Sequence, residues 1–393
     1  MPVPSGRARL LGAGVPLVAA LALLAGCTGG GAEPQPGADT PDGPELSSAS
    51  VAPADGLLPQ ATAGEPEILA TGLSAPWAVA FLPDGDALVT ERDTARILRL
   101  SPDGELTPLG VVDQVTPQGE GGLLGIAVSP DFATDDRVLV YYTAADGNRI
   151  VALTMADDGT IDGADQQTVI DGIPSGFTHN GGALVFGPDG ELFVGTGDAG
   201  DRSRSQDPDD LAGKILRLTA DGAAAPGNPF GTEVYALGIR NSQGIAFGPD
   251  GEVFATEFGA RTADEINLIE PGRNYGWSEV EGPQEPPIDD AYTEPLLVWP
   301  VDQASPSGLA QAGGSLWMGA LRGERLWRIP IGAGDGAAGT VGEPEQLLND
   351  DFGRLRGVTA TPDGSALWIT TSNRDGRGNP TADDDRIIVL PLE

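Results

Sequence analysis

The chain has few of the side chains that build disulfides and zinc sites. Its 393 residues include one cysteine and one histidine. An intramolecular disulfide and a zinc site made of several such ligands are therefore both impossible. Any bound metal must be a hard cation with oxygen ligands, of which calcium is the typical example. The length leaves the number of domains open, because a single β-propeller can use this many residues.

Positive charge is also scarce. Lysine and arginine together number 22, against 58 aspartates and glutamates, so the formal net charge is −36. A chain this acidic repels a phosphate backbone, and we expect no nucleic acid partner. Lys214 is the single lysine, so nearly all of the positive charge comes from arginine.

The composition disfavours long helices. Glycine (58 residues) and proline (34 residues) are abundant, which favours many short strands joined by turns.

The first residues resemble a targeting segment. Arg7 and Arg9 precede an apolar run over residues 10–24, which is shorter than a bilayer span. The run ends in Leu-Ala-Gly-Cys, and its cysteine, Cys27, lies where a bacterial lipoprotein is cleaved and lipidated. We expect residues 1–26 to be a lipoprotein signal peptide and the mature chain to lie outside the cytoplasm. Its membrane contact would be the lipid anchor alone.

A linker is predicted next. Residues 27–65, which begin with the lipidated Cys27, are rich in glycine, proline, alanine and serine and contain few large apolar side chains. Such a segment buries too little surface to offset the entropy of ordering it, so we expect a flexible, disordered linker.

A short pattern recurs through the rest of the chain. Each copy is an apolar run followed by Pro-Asp, usually with glycine next, and then by a strand-like alternation. Proline presets φ and glycine supplies a positive φ, so each copy predicts a hairpin turn in which the aspartate is structural. The prolines of the copies are Pro83, Pro130, Pro188, Pro249 and Pro362.

A second repeated element, an apolar strand, accompanies the turns. It occurs six times, at intervals of 51 to 65 residues, which is typical of propeller blades with inserted loops. We predict an all-β domain over residues 66–393, a six-bladed β-propeller of four-stranded antiparallel blades. The strand near residues 66–70 would complete the last blade, beside residues 386–390. The six copies begin at Arg96, Arg149, Lys214, Glu265, Arg325 and Arg386.

Candidates for chemistry lie where the chain departs from the repeats, because propeller loops gather at one mouth of the central channel. The sharpest departure is Thr-His-Asn-Gly-Gly at residues 178–182. Histidine ordinarily titrates near neutral pH, so His179 is the single candidate for an imidazole general base. A structural role is the alternative for a lone histidine. The adjoining glycines, which let a ligand approach the backbone closely, favour function.

Arginines in the loops before strands are the second departure. Arg354 and Arg356 are two residues apart and share one face of an extended segment. Arg322 and Arg240 stand in similar loops. Four guanidinium groups converging on one channel would hold a small polyanion, and their fork suits carboxylates. Salt bridges to the abundant acidic residues are the alternative.

Two further patterns carry less weight. Gly-x-Gly-x-x-Gly at residues 195–200 is followed by a polar segment instead of an apolar helix, so it fails as a dinucleotide motif. Asp264-Glu265 and the aspartates of residues 207–210 could ligate calcium, but in so acidic a chain we expect solvated loops.

Together these stretches resemble the quinoprotein sugar dehydrogenases, which include the soluble glucose dehydrogenase and the aldose sugar dehydrogenases. The resemblance runs from about residue 67 to residue 393. No single motif is specific for this family, but the order and spacing of the motifs together are specific. The motifs, besides the arginine loops, are Gly119–Gly125, His179–Gly182, Arg240–Gly244, Asp264–Asn267 and Gly272–Trp277.

The resemblance implies a function and residue roles. It implies a propeller that binds pyrroloquinoline quinone (PQQ), a tricarboxylate, together with calcium, and oxidises an aldose-type sugar at the anomeric carbon to a lactone with hydride transfer to PQQ. His179 matches the general base and Arg240 the arginine beside the quinone carbonyls. The other implied contacts are Asn241, Trp299, Arg322, Arg354 and Arg356 for the cofactor, the carbonyls of Gly259 and Ala260 for calcium, and Glu120 for the sugar.

Several positions depart from the soluble glucose enzyme of this family. Glu120 replaces a glutamine, Thr178 an acidic residue and Ala199 a glutamine that contacts sugar, so glucose specificity is not implied. Ala260 replaces a proline, and Phe258 a polar residue before the calcium-holding glycine. Arg322 stands in place of a lysine.

Two other functions remain open on the sequence. A non-catalytic propeller lipoprotein could bind glycans or a cell-surface partner. A calcium-dependent lactonase also uses six blades, but it holds calcium with side chains and needs no arginine cluster. The identity of the sugar and of the electron acceptor is not specified by these patterns.

Overall fold

The computed structural model describes residues 56–286, 288–334 and 339–393. The predicted signal peptide, the Cys27 lipidation site and most of the predicted linker lie outside these residues and stay predictions. Within the described ranges, 24 strands form six four-stranded antiparallel sheets. This confirms the predicted six-bladed propeller. No helix in these ranges is long and apolar enough to cross a membrane.

The first three blades follow one another along the chain, after a separate strand β1 (Glu67–Ala70). Blade 1 comprises β2 (Pro76–Phe81), β3 (Ala87–Glu91), β4 (Arg96–Leu100) and β5 (Leu106–Val111). Blade 2 comprises β6 (Leu123–Val128), β7 (Arg137–Ala144), β8 (Gly147–Thr154) and β9 (Gln167–Ile173), with a one-turn helix α1 (Phe132–Asp135). Blade 3 comprises β10 (Ala183–Phe186), β11 (Leu192–Gly195), β12 (Lys214–Leu218) and β13 (Val234–Leu237), with a 3₁₀ helix (Arg202–Gln206).

The remaining blades have the same order. Blade 4 comprises β14 (Ile245–Phe247), β15 (Val253–Glu257), β16 (Asp264–Ile269) and β17 (Leu297–Trp299). Blade 5 comprises β18 (Pro306–Ala312), β19 (Ser315–Ala320), β20 (Arg325–Pro330) and β21 (Glu345–Leu347). Blade 6 comprises β22 (Leu355–Ala360), β23 (Ala366–Thr371), β24 (Ile387–Pro391) and the early strand β1.

The ring is closed by pairing the two ends of the domain. β1 pairs antiparallel with β24, and Glu67 lies opposite Val389 while Ile68 lies opposite Ile388. The predicted closing strand is therefore confirmed. The pairing completes the fourth strand of the last blade with the first strand of the domain and so closes the ring.

Apolar side chains between the blades hold the ring together. Trp77, Leu124 and Leu184, from the innermost strands of blades 1 to 3, belong to one buried cluster. The middle strands are buried on both faces, which explains their nearly continuous apolar sequences, as in β7 and β19. Burying each large apolar side chain stabilises the fold by about 1.5–3 kcal/mol. The innermost strands line a central channel, a cavity of about 480 Å³.

The Pro-Asp-Gly turns join the first and second strands of a blade, and they lie on one face of the ring. Gly85 and Gly364 have φ of 96° and 71°, so these turns need glycine, as predicted. The hydroxyls of Thr361 and Ser365 lower the pKa of Asp363 to about 2, which fits a structural aspartate. Because strands alternate in direction, the loops before the first strands and after the second strands lie on the opposite face, here called the mouth face.

The predicted linker ends too late in the chain, at residue 65. Residues 57–65 do not stand apart from the propeller but run along blades 5 and 6. The amides of Leu58, Ala61 and Thr62 donate to Ile331 O, Gly313 O and Glu393 O, at 3.0, 2.9 and 2.7 Å. Leu58 also packs against the core of blades 4 and 5. Composition missed this because a few backbone hydrogen bonds and one leucine suffice to dock so short a segment.

The single lysine is part of the scaffold. Lys214, at the start of β12, is buried, and its Nζ donates to Arg204 O at 2.8 Å and to Ala212 O at 2.6 Å. These bonds tie down the loop between β11 and β12. Burial lowers the pKa of Lys214 from 10.5 to about 8, because the charged form loses hydration.

This pKa predicts a pH-dependent stability. Between about pH 8 and 10.5 the unfolded chain keeps the Lys214 proton that the folded chain has released. Stability from this group therefore rises with pH across that window and is lost as pH falls through about 8. We expect the free energy of unfolding of wild type, relative to Lys214→Met, to increase between pH 8 and pH 10 in urea titrations. Titration of the tyrosines affects wild type and Lys214→Met equally, so it cancels in the difference between their free energies of unfolding. A difference that stays flat would contradict this assignment.

Candidate active site

Five charged or titratable side chains converge on the mouth face. Glu120 and His179 precede β6 and β10, Arg240 precedes β14, and Asp198 and Arg377 follow β11 and β23. These positions belong to four blades. The fold therefore brings together side chains separated by up to 257 residues.

His179 is held in a strained backbone conformation. Its φ is +59°, which is uncommon for a residue with a side chain. Its N–H donates to Glu120 Oε2 at 2.7 Å, and its carbonyl accepts from the amide of Ala199 at 3.1 Å. A Cβ on Gly197 would lie 2.1 Å from the His179 carbonyl oxygen, so glycine is required there. The imidazole itself is 17% exposed, open to a small substrate.

Asp198 fixes the imidazole. Its Oδ1 lies 2.6 Å from His179 Nδ1 and accepts from Gly200 N at 2.8 Å, while Oδ2 accepts from Trp277 Nε1 at 2.8 Å. Burial raises the pKa of Asp198, but its hydrogen bond and attraction to His179 outweigh burial and lower it overall. An ionised Asp198 keeps the proton of the neutral ring on Nδ1. Nε2 is then the free base.

Glu120 is similarly constrained. Arg377 Nη1 donates to Glu120 Oε1 at 2.6 Å, so the two carboxylate oxygens serve Arg377 and the His179 amide. Burial raises the pKa of Glu120, but the amide of His179 and the charge of Arg377 lower it overall. Glu120 thus stays a carboxylate beside His179.

Arg240 lies against an aromatic ring, and one of its N–H groups has no hydrogen-bond partner among the described residues. Its guanidinium is 5.3 Å from the centre of the Trp277 ring, and Nη1 donates to Phe258 O at 3.0 Å. Nε is buried without a partner among the described residues. Burial lowers the pKa of Arg240. Its neighbour Asn241 accepts a hydrogen bond from Gly181 N at 2.9 Å and so braces the loop of the base.

The pair Arg354 and Arg356 converges, as predicted, but on an internal carboxylate. Both donate to Asp375 Oδ2, at 3.0 and 3.4 Å. Arg356 also donates to Gln243 Oε1 at 3.0 Å. Burial lowers the pKa of Arg356 to about 10, against the opposing effect of Asp375. These two arginines therefore form salt bridges with an internal carboxylate, which the sequence left open as the alternative to binding a polyanion. Because Arg354 and Arg356 share the single carboxylate of Asp375, the three side chains together keep a positive charge.

Two other predicted cofactor residues lie in different surroundings. Arg322, in the mouth-face loop after β19, is exposed and forms no salt bridge with a carboxylate of the described residues. Trp299 is 4% exposed and packs in the core, with its ring 5.6 Å from that of Trp327. A place next to a cofactor stays a prediction for both.

The segment with the predicted calcium carbonyls is anchored by its amides. Gly259 N donates to Asp264 Oδ1 at 2.8 Å. Ala260 N and the three amides that follow it donate to one oxygen of Glu281, at 2.8 to 3.3 Å. The carbonyls of Gly259 and Ala260 receive no backbone hydrogen bond from the described residues.

The expectation that Asp264 and Glu265 lie in a solvated loop is wrong. Both are buried at the start of β16, next to the buried Glu257. Burial raises the pKa of Asp264 to about 6 and that of Glu265 to about 7, and it raises that of Glu257 well above its ordinary value. The prediction relied on the acidity of the whole chain. β16 is hydrogen-bonded to β15 on one side and to β17 on the other, so the side chains of Asp264 and Glu265 are buried within the domain.

Several site residues carry no mark in the sequence. Asp198 lies inside the rejected glycine motif, and its partner Trp277 is 79 residues away. Asp375 and Arg377 lie in a loop that no motif singled out, and Gln243 lies in the Arg240–Gly244 motif without an assigned role. The one available signal for Asp198, Asp375 and Arg377 was position, because each follows a second strand and so belongs to the mouth face.

The fold and the site define a propeller with one imidazole, held by a buried carboxylate, at the mouth of its channel. The family model for Glucose / Sorbosone dehydrogenase matches residues 73–382. The chain therefore belongs to this family and is a sugar dehydrogenase, which confirms the resemblance seen in the sequence.

Known relatives match the same part of the chain. The PQQ-bound form of aldose sugar dehydrogenase from Streptomyces coelicolor is 48% identical, with a TM-score of 0.79, over 86% of this chain and 100% of that one. Aldose sugar dehydrogenase YliI of Escherichia coli (strain K12) is 34% identical over 342 residues, 79% of this chain and 90% of that one. Quinoprotein glucose dehydrogenase B of Acinetobacter calcoaceticus is 30% identical over 251 residues, 55% of this chain and 52% of that one.

The contact between Asp198 and His179 predicts a strong effect of one substitution. Asp198→Asn removes the charge that holds the proton on Nδ1, so turnover in a dye-reduction assay should fall by about 10²–10⁴-fold. Asp201→Asn, in the same loop but exposed and engaged with Ser203, is the matched control and should keep its rate. Full activity of Asp198→Asn, with an unchanged circular dichroism spectrum, would contradict the assignment.

Proposed function

We propose that this protein oxidises an aldose at its anomeric carbon to a lactone, with PQQ as the hydride acceptor and calcium as a second cofactor. Membership of the family supports a sugar dehydrogenase, and a relative with 48% identity has been solved with PQQ. The observation that carries the proposal is the single imidazole, His179, held by a buried carboxylate within reach of the arginine loops.

The residues present fit a tricarboxylate. The mouth face of a chain with net charge −36 gathers Arg240, Arg322, Arg354 and Arg356. The unpartnered Nε of Arg240 can donate to a ligand. Arg354 and Arg356 share one carboxylate and can bind another. In this proposal Arg240 and Asn241 bind the quinone side of PQQ, and the other three arginines bind its carboxylates.

Calcium fits the loop after β15. The amides of Gly259 and Ala260 donate to the carboxylates of Asp264 and Glu281, and their carbonyls have no backbone donor among the described residues. Carbonyl oxygens are suitable calcium ligands. Asp264 and Glu281, which anchor the loop, add negative charge close by. We propose the two carbonyls as calcium ligands.

The protein's own part in the reaction is proton transfer and positioning. The chemistry that bound PQQ supplies is acceptance of the hydride from the anomeric carbon. Nε2 of His179 takes the proton of the anomeric hydroxyl, and Asp198 stabilises the imidazolium that forms. The sugar thereby loses a hydride and a proton and becomes a lactone. Glu120 accepts from the His179 amide and so keeps the base in place.

The two alternatives from the sequence gain less support. A non-catalytic binding propeller needs no buried carboxylate behind its one histidine. A lactonase uses side-chain carboxylates as calcium ligands, and no group of three or more histidine, cysteine or acidic residues suited to a metal occurs in the described ranges.

Cofactor binding tests the proposal. Arg356→Ala and Arg322→Ala each remove one charge-assisted hydrogen bond, so each should weaken PQQ binding about ten- to hundredfold in equilibrium titrations with calcium present. Arg322 is exposed, so its variant remains informative if Arg356→Ala folds poorly. Arg273→Ala is the matched control, because Arg273 is exposed and paired only with Glu270. Unchanged PQQ affinity in both variants would refute the proposed cofactor site and favour the binding module.

A further inference from the structure

One carboxylate holds the loop that carries the proposed calcium ligands. Four consecutive backbone amides, those of residues 260–263, converge on Glu281 Oε1 at 2.8, 2.8, 2.9 and 3.3 Å. Successive amides that point to one place form a concave site for an anion. In this protein the anion is a side chain of the same blade, so the loop has its shape before any ligand binds.

Glu281 reaches the loop from a fixed place. The amide of the next residue, Gly282, donates to Glu265 Oε1 at 2.8 Å, and Glu265 is buried in β16. A Cβ on Gly282 would lie 2.9 Å from Ala263 Cβ, so the backbone packs directly against the loop. A Cβ on Gly259 would lie 1.9 Å from Ala263 O, so the two ends of the loop are also in close contact.

The direction of the amides sets the direction of two carbonyls. A trans peptide is planar, and its N–H and C=O groups point to opposite sides. The carbonyl of Gly259 shares a peptide with the amide of Ala260, and the carbonyl of Ala260 shares one with the amide of Arg261. Both amides point to Glu281. Both carbonyls therefore point away from it.

The loop begins at the candidate cofactor site. The carbonyl of Phe258, the residue before Gly259, accepts from Arg240 Nη1 at 3.0 Å, and Phe258 lines one cavity together with Arg356. The carbonyls of Gly259 and Ala260 receive no backbone hydrogen bond from the described residues. Their oxygens are thus available to a cation beside the arginines proposed to bind PQQ.

We propose that Glu281 is a positioning residue of the calcium site, which fixes the orientation of the Gly259 and Ala260 carbonyls without itself binding the metal. This inference rests on the proposed function. A loop that is already ordered does not lose its conformational freedom when calcium binds, so less of the binding free energy is spent on ordering it. Partners that orient metal ligands in this way typically contribute about 10–100-fold to metal affinity.

Calcium affinity tests this role. The amide resonances of residues 259–263 in ¹⁵N-labelled apoprotein report this loop, and chelator buffers set the free calcium concentration. In Glu281→Ala the dissociation constant should rise about 10–100-fold. Glu281→Asp keeps the charge but is one methylene too short to reach all four amides, so it should lose affinity as well. Glu279→Ala removes an exposed carboxylate two residues away and, as the matched control, should bind calcium as wild type does.

The outcomes separate this inference from the proposed function, because the titration contains neither PQQ nor sugar. Wild-type affinity in Glu281→Ala or in Glu281→Asp overturns the positioning role and leaves the calcium site in place. If Glu281→Ala folds poorly, Glu281→Asp decides between position and charge by itself. Wild-type resonances that do not respond to millimolar calcium refute the proposed calcium site, and the positioning role with it.

Discussion

The site depends on the buried carboxylate of Asp198. It contacts the imidazole of His179, the indole of Trp277 and the amide of Gly200. Blade 3 supplies His179 and Asp198, and blade 4 supplies Trp277, so this one group joins neighbouring blades at the channel mouth. The guanidinium groups of Arg202 and Arg240 in turn lie 5.1 and 5.3 Å from the centre of the Trp277 ring. Removing the carboxylate would free both the imidazole of His179 and the indole that supports Arg240.

Charge balance is the second constraint on the mouth face. Four of the arginines there are matched by an internal carboxylate or carbonyl: Arg377 by Glu120, Arg354 and Arg356 by Asp375, and Arg240 by the carbonyl of Phe258. Buried guanidinium groups without such partners would carry a large desolvation cost. The partners hold the side chains in position while leaving donors, such as Arg240 Nε, for a ligand.

Much of the fold and part of the candidate site could be predicted from the sequence, and the features that were not predicted have physical causes. The repeated turns and strands predicted six blades and the closing strand, because each blade repeats one local pattern. His179 and Arg240 stood out because they break that pattern. Asp198 and Asp375 did not, since their importance comes from partners in distant parts of the chain. Burial of Asp264 and docking of residues 57–65 likewise depend on tertiary contacts that composition does not encode.

The central claim is that His179 is the base of a PQQ-dependent sugar oxidation. The most direct measurement is single-turnover sugar oxidation, followed as dye reduction, in His179→Ala loaded with PQQ and calcium, with PQQ affinity measured on the same sample. The account predicts turnover lower by about 10²–10⁴-fold with PQQ affinity close to wild type, since arginines and not the imidazole hold the cofactor. A PQQ-loaded variant that oxidises sugar at nearly the wild-type rate would contradict it.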